Sequence, residues 1–143
     1  RGACPWSMDD VAALFDAAID VHVLRDPTRG GVAAALNEIA AASATGMVLA
    51  DESLPIDTEV RSACALMGID PLQVANEGRL LVIVADSDAE RALATLRATP
   101  GGEGTTRIGT VVADHPGVVA SRTAIGGTRI IDLPLGELLP RIC

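Results

Sequence analysis

The chain has 143 residues, 49% of them hydrophobic, with 11 Lys and Arg against 19 Asp and Glu and a net charge of −8. No basic stripe exists to release counterions from a phosphate backbone, and one Trp, one Phe and no Tyr leave no platform for base stacking, so nucleic acid is not an expected partner. The length suits one domain, and its core has to be built from Ala, Val, Leu and Ile.

Ser7 followed by Asp10 forms a capping-box pattern, and Val11, Leu14, Phe15 and Ala18 recur at helical spacing, which predicts a helix over residues 8–20. A short strand over residues 21–24 follows, and Pro27 breaks it. Thr28-Arg29-Gly30-Gly31 then precedes a second helix with Val32, Leu36, Ile39 and Ser43 on its inner face and Gly46 as its stop. Residues 47–50 read as a strand, and Asp57 caps a helix that carries Val60, Cys64 and Met67 on one face and stops at Gly68. Cys64 is expected in the core. The apolar run 80–85 has the length and composition of a central strand covered on both faces. Ser87 and Glu90 supply a further capping box for a helix with Ala89, Ala92, Leu93 and Leu96 inward, ending near Pro100. Residues 107–113, 118–123 and 128–132 then read as strands joined in hairpins through His115-Pro116-Gly117 and Gly126-Gly127. The expected fold class is α+β: a mixed β-sheet with packed helices, an α/β sandwich, followed by a flexible C-terminal tail.

Cys4, Cys64 and Cys143 are odd in number and include no CxxC pair, which argues against a disulfide framework or a zinc site and fits a reducing cytoplasm. No metal site is expected. No apolar signal core precedes Met8 and no run approaches the roughly 18 apolar residues of a membrane span, so no membrane partner is expected either. Cys143 ends the chain behind Pro134, Gly136 and Pro140, residues that interrupt helix, so the tail reads as a mobile arm. About ten residues at roughly 3.3 Å each let its thiol sweep on the order of 30 Å, although a frayed end with an incidental Cys has the same composition. Asp26-Pro27-Thr28-Arg29-Gly30-Gly31 joins a strand to a helix, where backbone N–H groups and the positive helix end can face an anion; a glycine turn capped by Thr28 is the alternative. Asn76-Glu77-Gly78 precedes the apolar strand, so Glu77 is either a partly desolvated base at the edge of the core or a solvated turn residue. His22 and His115 read as a strand residue and a turn residue.

The segments Leu24-Arg25-Asp26-Pro27-Thr28-Arg29-Gly30-Gly31, Ala75-Asn76-Glu77-Gly78-Arg79-Leu80-Leu81 and Gly126-Gly127-Thr128-Arg129, with the ending Pro140-Arg141-Ile142-Cys143, together resemble the HypE family of hydrogenase maturation factors. These are carbamoyl dehydratases of the aminoimidazole ribonucleotide synthetase and selenophosphate synthetase superfamily. The resemblance implies the C-terminal domain of that family. Residues 1–132 would be the catalytic and docking domain and 133–143 the mobile tail, with the N-terminal ATP-binding domain absent. It further implies that Cys143 carries a carbamoyl group, that Glu77 is the catalytic base, and that Asp26, Thr28, Arg29, Gly30, Gly31, Asn76 and Gly78 line a phosphate or substrate groove. Pro140, Arg141 and Ile142 would belong to the tail. ATP and magnesium would be bound mainly by the absent domain, with neither held tightly by this chain. The implied partners are the carbamoyltransferase HypF, the HypC–HypD iron scaffold and a second copy of the full-length protein. A docking and thiol-carrier module without catalysis, or a superfamily relative with another phosphoryl-activated substrate, are the alternatives.

Overall fold

The computed structural model describes residues 6–133. In chain order the elements are α1 (Met8–Asp16), β1 (Val21–Arg25), α2 (Gly31–Ser43), β2 (Gly46–Ala50), α3 (Thr58–Met67), β3 (Leu81–Val84), α4 (Ala89–Arg97), β4 (Gly109–Val112), β5 (Val119–Arg122) and β6 (Thr128–Ile130). Single 3-10 turns occupy Asp51–Ser53, Pro71–Gln73 and Asp86–Asp88. Among the described residues the strands form a two-stranded antiparallel sheet and a four-stranded mixed sheet with packed helices and no closed barrel, as the α+β reading expects. The chain divides into two compact units: the part up to Asp26 with Glu77–Arg107, and Pro27–Asn76 with the part from Ile108 onward. No helix among the described residues is long and apolar enough to cross a membrane.

In the first unit the capping box at α1 forms as its sequence requires. The Ser7 hydroxyl accepts the Asp9 N–H at 3.2 Å, and the Ser7 N–H donates to the Asp10 carboxylate at 2.7 Å. The helix ends four residues before the predicted limit of Asp20. Ala18 turns left-handed at φ 50, its N–H reaches Phe15 O at 2.9 Å, and the Ile19 N–H reaches Leu14 O at 3.0 Å. This reversal lays Ile19 on Leu14, and both are buried with Ala92 and Leu96, so apolar burial outweighs the cost of an alanine where glycine is favoured.

The same core receives Val21 and Leu24 from β1 and Val82 and Val84 from β3. A bulge between Val21 and Val23 shifts the register, which lets Val21 and Leu24 reach one face despite their odd spacing and leaves His22 exposed. β3 corrects an expectation, because it is not a central strand. It pairs with β1 in a two-stranded sheet, and all four of its residues are half-buried. Nor does a Ser87–Glu90 box start α4; Asp88 stands at the cap position with no side-chain cap. Its carboxylate is taken by the Asp20 N–H and by Arg91, each at 2.8 Å.

In the second unit the strand order is β4-β2-β5-β6, with β2 antiparallel to β4 and parallel to β5. Only β5 and β6 form a hairpin of the expected kind; β2, more distant in sequence, inserts between β4 and β5. α2 buries Ala33, Ala34, Ala35, Leu36 and Ala40, whereas Val32 and Ile39 are half-buried and Ser43 is exposed. Small side chains on the inner stripe, rather than the bulkier ones, allow close approach. Ala44 at φ 51, not Gly46, ends the helix, and Gly46 begins β2. Asn37 ties α2 to the end of β6, donating to Ala33 O at 2.8 Å and Ile131 O at 2.9 Å. α3 stops at Gly68 as predicted, and Cys64 is its one buried residue.

Two measurements follow. Ala18→Gly removes the left-handed strain and should raise stability by about 0.5–1 kcal/mol in urea unfolding; a loss of stability would contradict the helix end described. Burial of Asp10 acts to raise its carboxyl pKa, but hydrogen bonding to Thr99 and to the Ser7 N–H and hydroxyl outweighs it, leaving the group below its ordinary value of 3.8. A depressed folded-state value stabilises above the unfolded value and is lost as pH falls through the folded one. Stability should therefore drop below about pH 4, and Asp10→Asn should flatten that drop.

Candidate functional site

The turn from Pro27 to Gly31 is shaped by its own residues. Pro27 is fully buried, the Thr28 carbonyl accepts the Gly31 N–H at 3.1 Å, and Gly30 and Gly31 are both left-handed at φ 68 and φ 61. Gly30 stands at the cap of α2 without a side-chain cap, so Thr28 serves through its carbonyl rather than its hydroxyl. The Thr28 and Arg29 side chains are exposed. Gly31 has a second constraint. A Cβ there would lie 2.5 Å from the Leu72 carbonyl oxygen and closer still to that of Val74. The space glycine leaves is thus filled by backbone carbonyls, which pack against the first turn of α2.

Those carbonyls are held by the 3-10 turn Pro71–Gln73. Asp70 caps it, accepting the Leu72 N–H on its carboxylate at 3.0 Å and the Gln73 N–H on its carbonyl at 2.9 Å. Beyond it the Asn76 N–H donates to Pro27 O at 3.1 Å. The second unit therefore brings Thr28, Arg29, Gly30 and Gly31 together with Asn76. Asp26, Glu77 and Gly78 belong to the first unit, where the Gly78 carbonyl accepts the Trp6 N–H at 3.3 Å. One Asp26 carboxylate oxygen is buried without a hydrogen-bond partner among the described residues. Glu77 and Asn76 are exposed, so the described residues do not themselves supply the desolvation expected around Glu77. Cys143, Pro140, Arg141 and Ile142 lie outside the described residues.

His22 is exposed beside Asp20 at 3.4 Å, and His115 sits at φ 55 in an exposed turn. Among the described residues no group of three or more His, Cys, Asp or Glu is placed to hold a metal ion. A charge cluster escaped the sequence reading. Arg129 on β6 pairs with Asp70 and lies 3.9 Å from Asp51, which Arg61 meets at 3.5 Å. Its signal was one cation just after the Gly126-Gly127 turn, too little to reveal partners far away in the chain.

Residues 5–121 match the family model of the AIR synthase related protein, C-terminal domain. The chain belongs to this family. Among AIR synthase related proteins, a carbamoyl dehydratase HypE of Rhodobacter capsulatus is 50% identical over 133 residues, covering 93% of this chain and 39% of the relative. The chain thus spans about two fifths of the length of the curated relatives it matches. A crystal structure of the hydrogenase maturation protein HypE in complex with ATP is similar at TM-score 0.85 and 44% identity, over 94% of this chain and 42% of that one. A crystal structure of a HypE–HypF complex is similar at TM-score 0.82 and 40% identity, over 88% and 41%.

Gly31→Ala should lower stability by about 2–4 kcal/mol, because backbone blocks the added methyl and the positive φ strains it. Urea unfolding is the check, and an unchanged midpoint would contradict the close approach at Gly31.

Proposed function

We propose that the chain is the C-terminal part of an ATP-dependent carbamoyl dehydratase that makes the cyanide ligands of nickel–iron hydrogenase. The observation that carries this reading is the 50% identity to a carbamoyl dehydratase across 93% of the chain. The segment Pro140-Arg141-Ile142-Cys143 supports it by supplying the thiol that this chemistry requires. Residues 1–132 form the catalytic and docking portion, and 133–143 the arm.

In this reading HypF transfers a carbamoyl group to Cys143, giving a thiocarboxamide, S–C(=O)–NH2. Amide oxygen is a very poor leaving group. Transfer of the ATP γ-phosphoryl group to that oxygen converts it to phosphate, and loss of phosphate with both N–H protons leaves the thiocyanate S–C≡N. The balance is thiocarboxamide plus ATP to thiocyanate, ADP and phosphate, the elements of water leaving with the phosphate. ATP and magnesium are held by the N-terminal domain of the longer protein.

Each motif then has a chemical task. Phosphorylation on oxygen acidifies the carbamoyl N–H, and Glu77 takes that proton. Because Glu77 is exposed here, the covering surface that keeps water out comes from another part of the full-length protein or from the arm. Asn76 and Gly78 flank the base, while Asp26, Thr28, Arg29 and the Gly30-Gly31 turn line the groove the arm enters. Arg141 offsets the charge of the Cys143 thiolate, and Pro140 and Ile142 belong to the same arm. The arm moves out for loading and for delivery to the HypC–HypD scaffold, and inward for dehydration. The full-length protein pairs as a homodimer in the cytoplasm.

In the full-length protein, Cys143→Ala should abolish carbamoyl loading in a mass measurement without unfolding the chain; retained loading would contradict the reading. Glu77→Gln should load normally and accumulate thiocarboxamide, and unimpaired thiocyanate formation would remove Glu77 from the mechanism. The isolated 143-residue chain should show no ATP-dependent dehydration.

A further inference from the structure

We propose that Arg129 is a positioning residue for the segment that leads into Glu77, acting through Asp70; this rests on the dehydratase reading above. Arg129 stands on β6, and its guanidinium pairs with one carboxylate oxygen of Asp70. The other oxygen of the same carboxylate accepts the Leu72 N–H at 3.0 Å. One side chain thus joins a cation on the sheet to the turn Pro71–Gln73. That turn sets the Leu72 and Val74 carbonyls against Gly31, and two residues beyond Val74 the Asn76 N–H is bonded to Pro27 O at 3.1 Å. Glu77 is the next residue in the chain. Every group from Arg129 to Asn76 belongs to the second unit.

Burial of the two partners is unequal, and that decides what the pair does. The Asp70 side chain is 18% exposed and that of Arg129 44%, so the carboxylate has given up more of its water and depends on the cation. Ion pairs this near the surface contribute little to global stability. Loss of Arg129 therefore leaves the fold intact and frees the capped turn to shift against β6. A displacement of the order of 1 Å at a reacting group slows a reaction far more than it destabilises a fold.

The test compares wild-type, Arg129→Gln, Arg129→Lys, Asp70→Asn and the double variant Arg129→Gln/Asp70→Asn in the full-length protein. HypF-dependent loading of Cys143 and the urea midpoint should be unchanged in Arg129→Gln, while single-turnover conversion of thiocarboxamide to thiocyanate slows about tenfold. Arg129→Lys should recover most of the rate, and the double variant should be no slower than either single one, because the two residues act as one unit. Conversion at the wild-type rate in Arg129→Gln, or losses that multiply in the double variant, would overturn the positioning role. Should Arg129→Gln lower the urea midpoint, Arg129→Lys decides: near-normal conversion supports the role and a tenfold loss overturns it. A wild-type protein that loads but never converts would instead overturn the dehydratase reading, and this inference with it.

Discussion

The second unit depends on an absence of atoms at Gly31. Because residue 31 has no side chain, the backbone of Leu72–Val74 lies directly against the first turn of α2, at a separation no Cβ could tolerate. Two consecutive left-handed glycines aim the helix, and the Asn76 to Pro27 hydrogen bond closes the arrangement. The turn that reads as an anion cradle in sequence is thereby also a packing joint. What remains outward for chemistry are the exposed Thr28, Arg29 and Asn76.

The rest of the packing shows how a chain almost without aromatic residues makes a core. α2 buries a stripe of alanines on its sheet, where small side chains bring backbones near each other, and a single buried side chain, Cys64, holds α3. Such cores gain less from each residue than aromatic ones, so local bonds matter more. The Ser7–Asp10 box, the reversal at Ala18 and the Asp88 bonds to Asp20 and Arg91 are bonds of this kind. Ser121 shows the opposite case: its fully buried hydroxyl has no partner among the described residues, and nothing in the structure explains it.

What could be read from sequence was what is settled within a few residues. The capping box at Ser7, the stop at Gly68 and the burial of Cys64 each follow from neighbours three or four positions away. The end of α1 was misplaced because Ala18 has no local reason to turn left-handed; the Leu14–Ile19 contact in the core supplies it. β3 looked central because an apolar run carries no record of how many strands flank it. The insertion of β2 between β4 and β5 is likewise a long-range pairing that no turn residue announces. For the candidate site, local pattern brought Asn76, Glu77 and the glycine turn to notice and motif resemblance gave them roles, but exposure of Glu77 and the Asp70–Arg129 pair are properties of folded distance.

The glycine turn and the Asn76 segment form one closed joint. Amide hydrogen exchange of the Asn76 N–H in the wild-type protein tests it most directly, since that group is bonded only if the Leu72–Val74 backbone sits where Gly31 permits. The joint predicts exchange slower than in an unstructured peptide by about a hundredfold or more. Exchange at the unprotected rate, with α2 itself protected, would show that the two segments do not close on each other.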